Sequence, residues 1–572
     1  MILKNSTGLP TGLKTGLKTG LTTLALLLAP TCLLGGCTAS GPGAGSRGAR
    51  APRAVQGIEV SERDVALPGP ASETYGKGAV THELLPVEQA LLAKLEKAGG
   101  KHDLRLSKVA RVLALHAPDR LTIPASLVEG LLSWAGLTGP SPKVVSLEIP
   151  AGAGDCVADK NAGSCPDGVA SLIQEATRVH DPEWSTLGAG VAKRPDGSTL
   201  LVALMGLHAI DLEPVAVNHE RGASVELRGR LLGGRTQPRV DVIDPKGAWT
   251  SLPTETQGDG FTASVKCERK GRYQIEVFGD GRHGPEVVAN FPVYCSAPVP
   301  DTIHMVIERV SPDTSIADLE RAGLDYINQT RAQRGLEPLV WDESIAELAR
   351  AHSRDMFKTG FVGHRSPTTG EVDNRFEAAG RSYPVIRENI ALGTGPRGIH
   401  EGLMRSPGHR VNIVADDVSH VGVGVVVGDP ISAVANAPRP LYVTQNYYLA
   451  PGADTPENPV QSLRALVNDL RKDAGLSALS WDDKADVLAQ ILADGRASGK
   501  NDQAAKAFKA KLPTIQYSEV SQHMVVGGRF QSFLSLDLWR EDLGDVVGLG
   551  VAPIKSGKQK DFLALVILVV KR

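Results

Sequence analysis

The sequence predicts a multidomain chain, with α-β-α sandwich modules and an all-β sandwich among them. Three observations carry this reading. A length of 572 residues suits three to five domains rather than one core. After residue 312, amphipathic helical stripes are followed by a pair of apolar strands, and the pattern then repeats. Between 216 and 298, short strands alternate apolar and polar residues and are separated by Gly, Pro and Asp. Hydrophobic residues make up 42% and charged residues 22%, which is ordinary for a globular chain. A net charge of −2 and the lack of a long Lys/Arg run exclude a general nucleic-acid binder.

The first element is an address. Lys4, Lys14 and Lys18 form a basic region, and "LTTLALLLAPTCLL" follows as an apolar run too short to span a bilayer comfortably. Leu34-Gly35-Gly36-Cys37 resembles a bacterial lipobox. The resemblance implies a signal peptide over 1–36 and a lipidated Cys37 as the first mature residue. The alternative is an ordinary signal cut near Ala39. Two acyl chains already anchor a protein to a membrane stably. Thr38, rather than Asp, follows Cys37, which implies a bacterial envelope protein of the outer membrane or surface. Residues 37–83 begin "CTASGPGAGSRGARAPR" and are expected to form a flexible linker.

Of six cysteines, the lipobox resemblance implies that Cys32 leaves with the leader and Cys37 is lipidated. The remaining four allow three pairings. Local pairs are expected, Cys156–Cys165 and Cys267–Cys295. Neither has the C-x-x-C spacing of a zinc site.

The domains follow in order. Residues 84–215 open with two helices in "EQALLAKLEKAGGKHDLRLSKVARVLALHA" and end with paired strands in "STLGAGVAKRPDGSTLLVALMGL". Residues 216–298 hold "ASVELRGRLL", "PRVDVIDP", "FTASVKCE", "RYQIEVFG" and "VVANFPVYC", a spacing that suggests an immunoglobulin-like sandwich stapled by Cys267–Cys295. In 312–451, Ile316, Leu319, Gly323, Tyr326, Ile327 and Thr330 share one helical stripe that Gly335 ends. Asp342 is the expected N-cap of a second helix, closed by Gly360. Short helices fit "VDNRFEAAG" and "GIHEGLMRS", and strands fit "HVGVGVVVG" and "LYVTQNYYL". Residues 457–572 repeat this plan: Leu479-Ser480-Trp481-Asp482 matches Leu339-Val340-Trp341-Asp342.

Three polar islands stand out in 312–451: "GHRSP" at 363–367, "RENIA" at 387–391 and "RSPGHRVNI" at 405–413. With "YINQTRAQRGLEPLVWDESIAELARAHSRDM", "HVGVGVVV" and "YVTQNYY" they occur in the order found in CAP domains. The stretch 323–448 resembles that superfamily of cysteine-rich secretory proteins, antigen 5 and pathogenesis-related class 1 proteins, in its bacterial, cysteine-poor branch. The resemblance implies that His364, Glu388 and His409 converge in a central cleft. Two imidazoles and a carboxylate suit zinc or another divalent cation, or a proton relay. The structural alternative is a buried cluster that satisfies its own hydrogen bonds. Ser406 stands where many animal members carry a second acidic residue, and Arg387 replaces a glycine and is expected to narrow the cleft. The 457–572 segment then resembles a degenerate copy with Gln522 opposite Glu388, and 84–215 a fainter one.

No activated nucleophile is evident, since Ser366 and Ser406 lack a recognisable orienter and oxyanion hole. The favoured function is therefore an anchored binding or interaction module for a lipid, glycan, peptide or protein. The alternative is a metal-dependent hydrolase of envelope or extracellular polymers.

Overall fold

The computed structural model describes residues 5–6 and 56–571, apart from 77–79, 154–156, 158–165, 179–182, 382, 431–437, 542, 544–545 and 556–561. Cys37, Cys156 and Cys165 lie outside the described residues, and with them the expected lipidation site and the first expected cysteine pair. The chain divides into two compact units, one spanning Arg50–Leu449 and the other containing Ala450–Arg572.

In the first unit, β1 (Ile58–Ala66) precedes an α/β module of α1 (Pro86–Ala98), α2 (Leu104–His116), α3 (Ala125–Trp134), β2 (Lys143–Ile149), α4 (Pro166–Arg178), β3 (Thr186–Lys193) and β4 (Thr199–Gly206). Its sheet runs Lys101–His102, β3, β4, β2, with the short first strand parallel to β3 and the others antiparallel.

Two antiparallel sheets come next. β5 (Ser224–Leu231) and β7 (Gly260–Lys266) lie in one; β6 (Thr236–Ile243), β8 (Gly271–Gly281) and β9 (Gly284–Cys295) lie in the other. Their inward residues, among them Leu227, Phe261, Ile275 and Phe291, form one buried cluster. Cys267 and Cys295 are disulfide-bonded with Cα atoms 5.6 Å apart, as expected, and tie one sheet to the other. Ile210–Leu212 pairs with β5 and packs in this cluster, so the boundary expected at 215 moves to before Ile210. The cause is the alternation Ile210, Leu212, Val215, whose three side chains are buried there.

β10 (Thr302–Val310) pairs with β1 in an antiparallel ribbon along the whole length of both strands. This corrects the expected flexible linker at 37–83. Residues 58–66 are a strand, and Val65 packs with Ile303, Met305 and Ile307 against α2 and α3. Burial of these apolar side chains offsets the entropy of ordering the strand.

The 312–451 module holds α5 (Ile316–Ala332), α6 (Glu343–Thr359), α7 (Val372–Ala378), β11 (Ile386–Gly393), α8 (Pro396–Arg405), α9 (Pro407–Ile413), β12 (His420–Val427) and β13 (Leu441–Tyr448). Asp342 caps α6 by accepting from Ser344 and Ile345 N–H, and Gly360 ends the helix at φ 74°, both as expected. The sheet runs Val340–Trp341, β12, β13, β11. Val421, Val423 and Val425 face α5 and α8 in the main core. Gly422 and Gly424 face α6 so closely that a Cβ on either would overlap helix backbone at Ala346 and Arg350. Helices thus cover both faces of the sheet.

The second unit repeats the plan with α10 (Pro459–Asp473), α11 (Asp483–Ser498), α12 (Asn501–Lys511), β14 (Glu519–Gly527), β15 (Val546–Pro553) and β16 (Leu563–Lys571). Trp481 bridges β15 in parallel, β15 pairs with β16 and β16 with β14. The order and direction match the two earlier modules. Details recur as well. Arg331 donates to the carbonyls of Glu337, Ile413 and Ala415, and Arg471 does the same to Ser477, Trp539 and Glu541. No helix among the described residues is long and apolar enough to cross a membrane.

Candidate functional site

The cleft forms where three connections meet the β11 edge of the 312–451 sheet. Strand alternation places Glu388 on the same face as Asn446, its partner across β13, and leaves its carboxylate buried. His364 lies in the loop after α6, and its Nδ1 is 3.0 Å from Glu388 Oε1. Arg375, from α7, donates to Glu388 Oε2 and holds the loop by donating to His364 O at 3.1 Å and Gly370 O at 2.6 Å. Burial alone would raise the Glu388 carboxyl. The hydrogen bond from His364 and the charge of Arg375 outweigh it and hold the carboxyl below its usual range.

His409 enters from α9. Its ring centroid is 6.4 Å from that of His364. Its Nδ1 lies 2.6 Å from Ser406 Oγ, and its carbonyl accepts from Asn389 Nδ2 at 3.1 Å. Burial, reinforced by His364, pushes the His409 imidazole down to about 3. Burial also lowers His352 on α6, whose Nε2 bonds Gly363 O at 3.1 Å beneath the His364 loop.

The three expected residues do meet, but they are not arranged as a preformed site for the expected zinc or other divalent cation. The ring centroids stand 6.4 Å apart, and the Nδ1 atoms of His364 and His409 already face Glu388 and Ser406. Both Glu388 oxygens are committed, one of them to a guanidinium whose positive charge opposes a cation. Among the described residues, no group of three or more His, Cys, Asp or Glu side chains is arranged to hold a metal ion. Arg387 also departs from expectation. It turns to Asp417, with Nε to Oδ1 at 3.1 Å and Nη2 to Oδ2 at 2.8 Å, rather than narrowing the cleft.

Sequence reasoning missed Arg375 and Glu276. Arg375 sits in the expected helix "VDNRFEAAG", where it reads as an exposed charge. Glu276 lies on the outward face of β8, and nothing in "RYQIEVFG" signals that another module covers it. The cover is extensive. The turn between β8 and β9 grips the His364 loop: Arg365 N–H donates to His283 O at 2.8 Å, and His283 stacks on Phe361 with ring centroids 4.8 Å apart. Beside His409 a cavity of about 730 Å³ opens between the sandwich, α3, β10 and α8.

The profile of CAP, described as the cysteine-rich secretory protein family, matches residues 324–447. That segment is a CAP domain. Two curated relatives from Bacillus subtilis (strain 168) overlap it. The chain is 35% identical to the uncharacterized protein YkwD over 128 residues, which is 22% of this chain and 50% of that protein. It is 37% identical to the uncharacterized membrane protein YlbC over 108 residues, 18% of this chain and 31% of that one. The chain therefore spans half or less of the curated relatives it matches. Among solved structures, an extracellular SCP-domain protein from Bacillus anthracis str. Ames is similar at 20% identity and TM-score 0.21, over 40% of this chain and 67% of that one. A cysteine-rich secretory protein from Staphylococcus aureus is similar at 10% identity and TM-score 0.19, over 42% and 85%.

The CAP cleft has no counterpart at the matching positions of the other two modules. Gly188, Gly422 and Gly548 occupy one register position, which sets Val144 and Gln522 where Glu388 stands, and Leu204 and Leu568 where Asn446 stands.

Proposed function

We propose that this protein is an exported binding module held at the bacterial envelope by a lipid on Cys37, with one intact CAP domain, two degenerate CAP copies and an immunoglobulin-like sandwich along the chain. The observation that carries this reading is the commitment of Glu388. With one oxygen on His364 and the other on the Arg375 guanidinium, its charge is already neutralised within the protein, which disfavours both a metal and a general-base role. The alternative, a metal-dependent hydrolase, would need that carboxylate free. Replacement of the acidic position by Val144 and Gln522 fits modules kept for scaffold and surface.

The ligand surface is the cavity beside His409. Its volume of about 730 Å³ falls within the roughly 300–1,000 Å³ of small-ligand sites. Its wall mixes apolar residues such as Trp134 and Ile303 with Gln274, Asn290 and His409. Gly402 on α8 lines it, and a Cβ there would stand in open space. Thermal-shift screening with glycan fragments, short peptides and lipid vesicles tests the reading. A ligand that stabilises the wild-type chain but not Gly402→Phe is the expected outcome. Metal-dependent turnover of any of these compounds, abolished by Glu388→Gln, would replace binding with hydrolysis as the function.

A further inference from the structure

One residue of the sandwich reaches out of its own domain into the CAP cleft. Glu276 on β8 is fully buried, yet its carboxylate faces α9 rather than the sandwich core. Oε2 accepts from Ser406 Oγ at 3.0 Å and from Gly408 N–H at 2.9 Å, and Oε1 accepts from Asn290 Nδ2 at 3.2 Å. Ser406 Oγ in turn lies 2.6 Å from His409 Nδ1. We infer that Glu276 is a positioning residue of the CAP cleft, which acts through Ser406 to decide which nitrogen of His409 carries the proton. This rests on the reading of the cleft and cavity as a recognition surface, where the free His409 nitrogen meets a ligand.

Hydrogen counting gives the two states. An ionised carboxylate only accepts, and a serine hydroxyl has one hydrogen to give. When Glu276 is ionised, Ser406 donates to it. Ser406 Oγ can then only accept from His409, so the proton sits on Nδ1 and Nε2 keeps its lone pair. When Oε2 is protonated, it donates to Ser406, Ser406 donates to Nδ1, and the ring proton moves to Nε2. One proton on Glu276 thus converts His409 Nε2 from an acceptor to a donor without moving a heavy atom.

The surroundings set where this occurs. Burial raises the Glu276 carboxyl to about 8 against the lowering effect of the Gly408 and Ser406 donors. Asp241, opposite it on β6, raises it further, and Arg239 lowers it. On the other side, burial and His364 keep His409 neutral down to about 3, so both states are tautomers of an uncharged ring. Ser406 stands at the position where many animal members of the CAP superfamily carry a second acidic residue. Here the carboxylate reaches that place from the sandwich.

The test uses the full chain with ¹³C-labelled histidine rings and reads the Cδ2 shift, which separates the two neutral tautomers. His409 is assigned from the resonance lost in His409→Gln. In the wild-type chain the shift should move from the Nε2–H to the Nδ1–H value between pH 6.5 and pH 9.5. In Glu276→Gln, which keeps the shape but cannot ionise, it should stay constant over that range. Ser406→Ala should also abolish the change, and it carries the test if the first variant fails to fold. A wild-type shift that does not move, or a change that persists in either variant, overturns the inference. Failure of every compound to stabilise the chain would count against the binding reading alone, since the tautomer is read without ligand.

Discussion

Arg375→Met removes the one positive charge that compensates buried Glu388 while nearly preserving side-chain length. The wild-type guanidinium serves Glu388 and the carbonyls of His364 and Gly370, so three contacts are lost together. Breaking a buried pair by removing one partner costs about 3–5 kcal/mol. A ceiling comes from protonation, because Glu388 can take up a proton instead of remaining charged and unpaired. From an ordinary carboxyl value near 4.3, neutralisation at pH 7 costs about 1.36 kcal/mol for each of roughly 2.7 pH units, or about 4 kcal/mol. The two figures agree. Hydrogen-exchange mass spectrometry should therefore show protection of the β11 amides falling by roughly a thousandfold at pH 7, on the scale of about 1.4 kcal/mol per tenfold. The sign with pH follows from linkage. Glu388 is held below its usual value in the fold, so its contribution is present above the unfolded value and is lost as pH falls through the folded one. The deficit of the variant should thus shrink toward pH 4.5, and Glu388→Gln added to Arg375→Met should restore most of it. A loss under tenfold at pH 7, or a loss equally large at pH 4.5, would refute the charge argument.

Three other outcomes are expected. Burial lowers His352, His400 and His409, the last two to about 4 and about 3. The unfolded chain therefore binds more protons below pH 6.5, and stability should fall with a slope of about 1.4 kcal/mol per pH unit per histidine; a pH series of urea denaturations in which His400→Gln leaves the slope unchanged would contradict this. Replacing Cys267 and Cys295 with Ser should cost the sandwich about 2–5 kcal/mol, visible as an earlier calorimetric transition, and an unshifted transition would show that the staple contributes little. Cys37→Ser should release the protein from the membrane fraction or leave its leader uncut; retention with a leader cut at the same residue would exclude the lipid anchor.

Much of the architecture was legible because local rules govern it. Asp342 and Gly360 mark the ends of α6, and the Gly-x-Gly of "HVGVGVVV" reappears in "VVGLGVAPI", so the two strands β12 and β15 could be read from pattern alone. Three features were not. β11 is an edge strand that carries Arg387, Glu388 and Asn389 in a row, so it lacks the alternation that betrays a strand. β1 pairs with a strand more than two hundred residues away, and no local signal encodes that partner. Of the cleft, His364, Glu388 and His409 were found through motif order. What decides their chemistry was not, because it depends on side chains from elsewhere: Arg375 on a helix that reads as solvent-facing, and Glu276 on the outer face of another domain. The two imidazoles and the carboxylate alone read as a metal site, and the Arg375 guanidinium on Glu388 adds a positive charge that weighs against it.

Zinc titration by isothermal calorimetry bears most directly on the claim that the cleft is a self-satisfied polar cluster rather than a metal centre. The full chain, stripped with chelator, is titrated near pH 7.5 beside His364→Ala and His409→Ala. The account predicts that the three isotherms coincide, because Arg375 and His364 already pair with both oxygens of Glu388 and the Arg375 charge opposes a cation there. One equivalent of zinc bound by the wild-type chain and lost in both variants would contradict it.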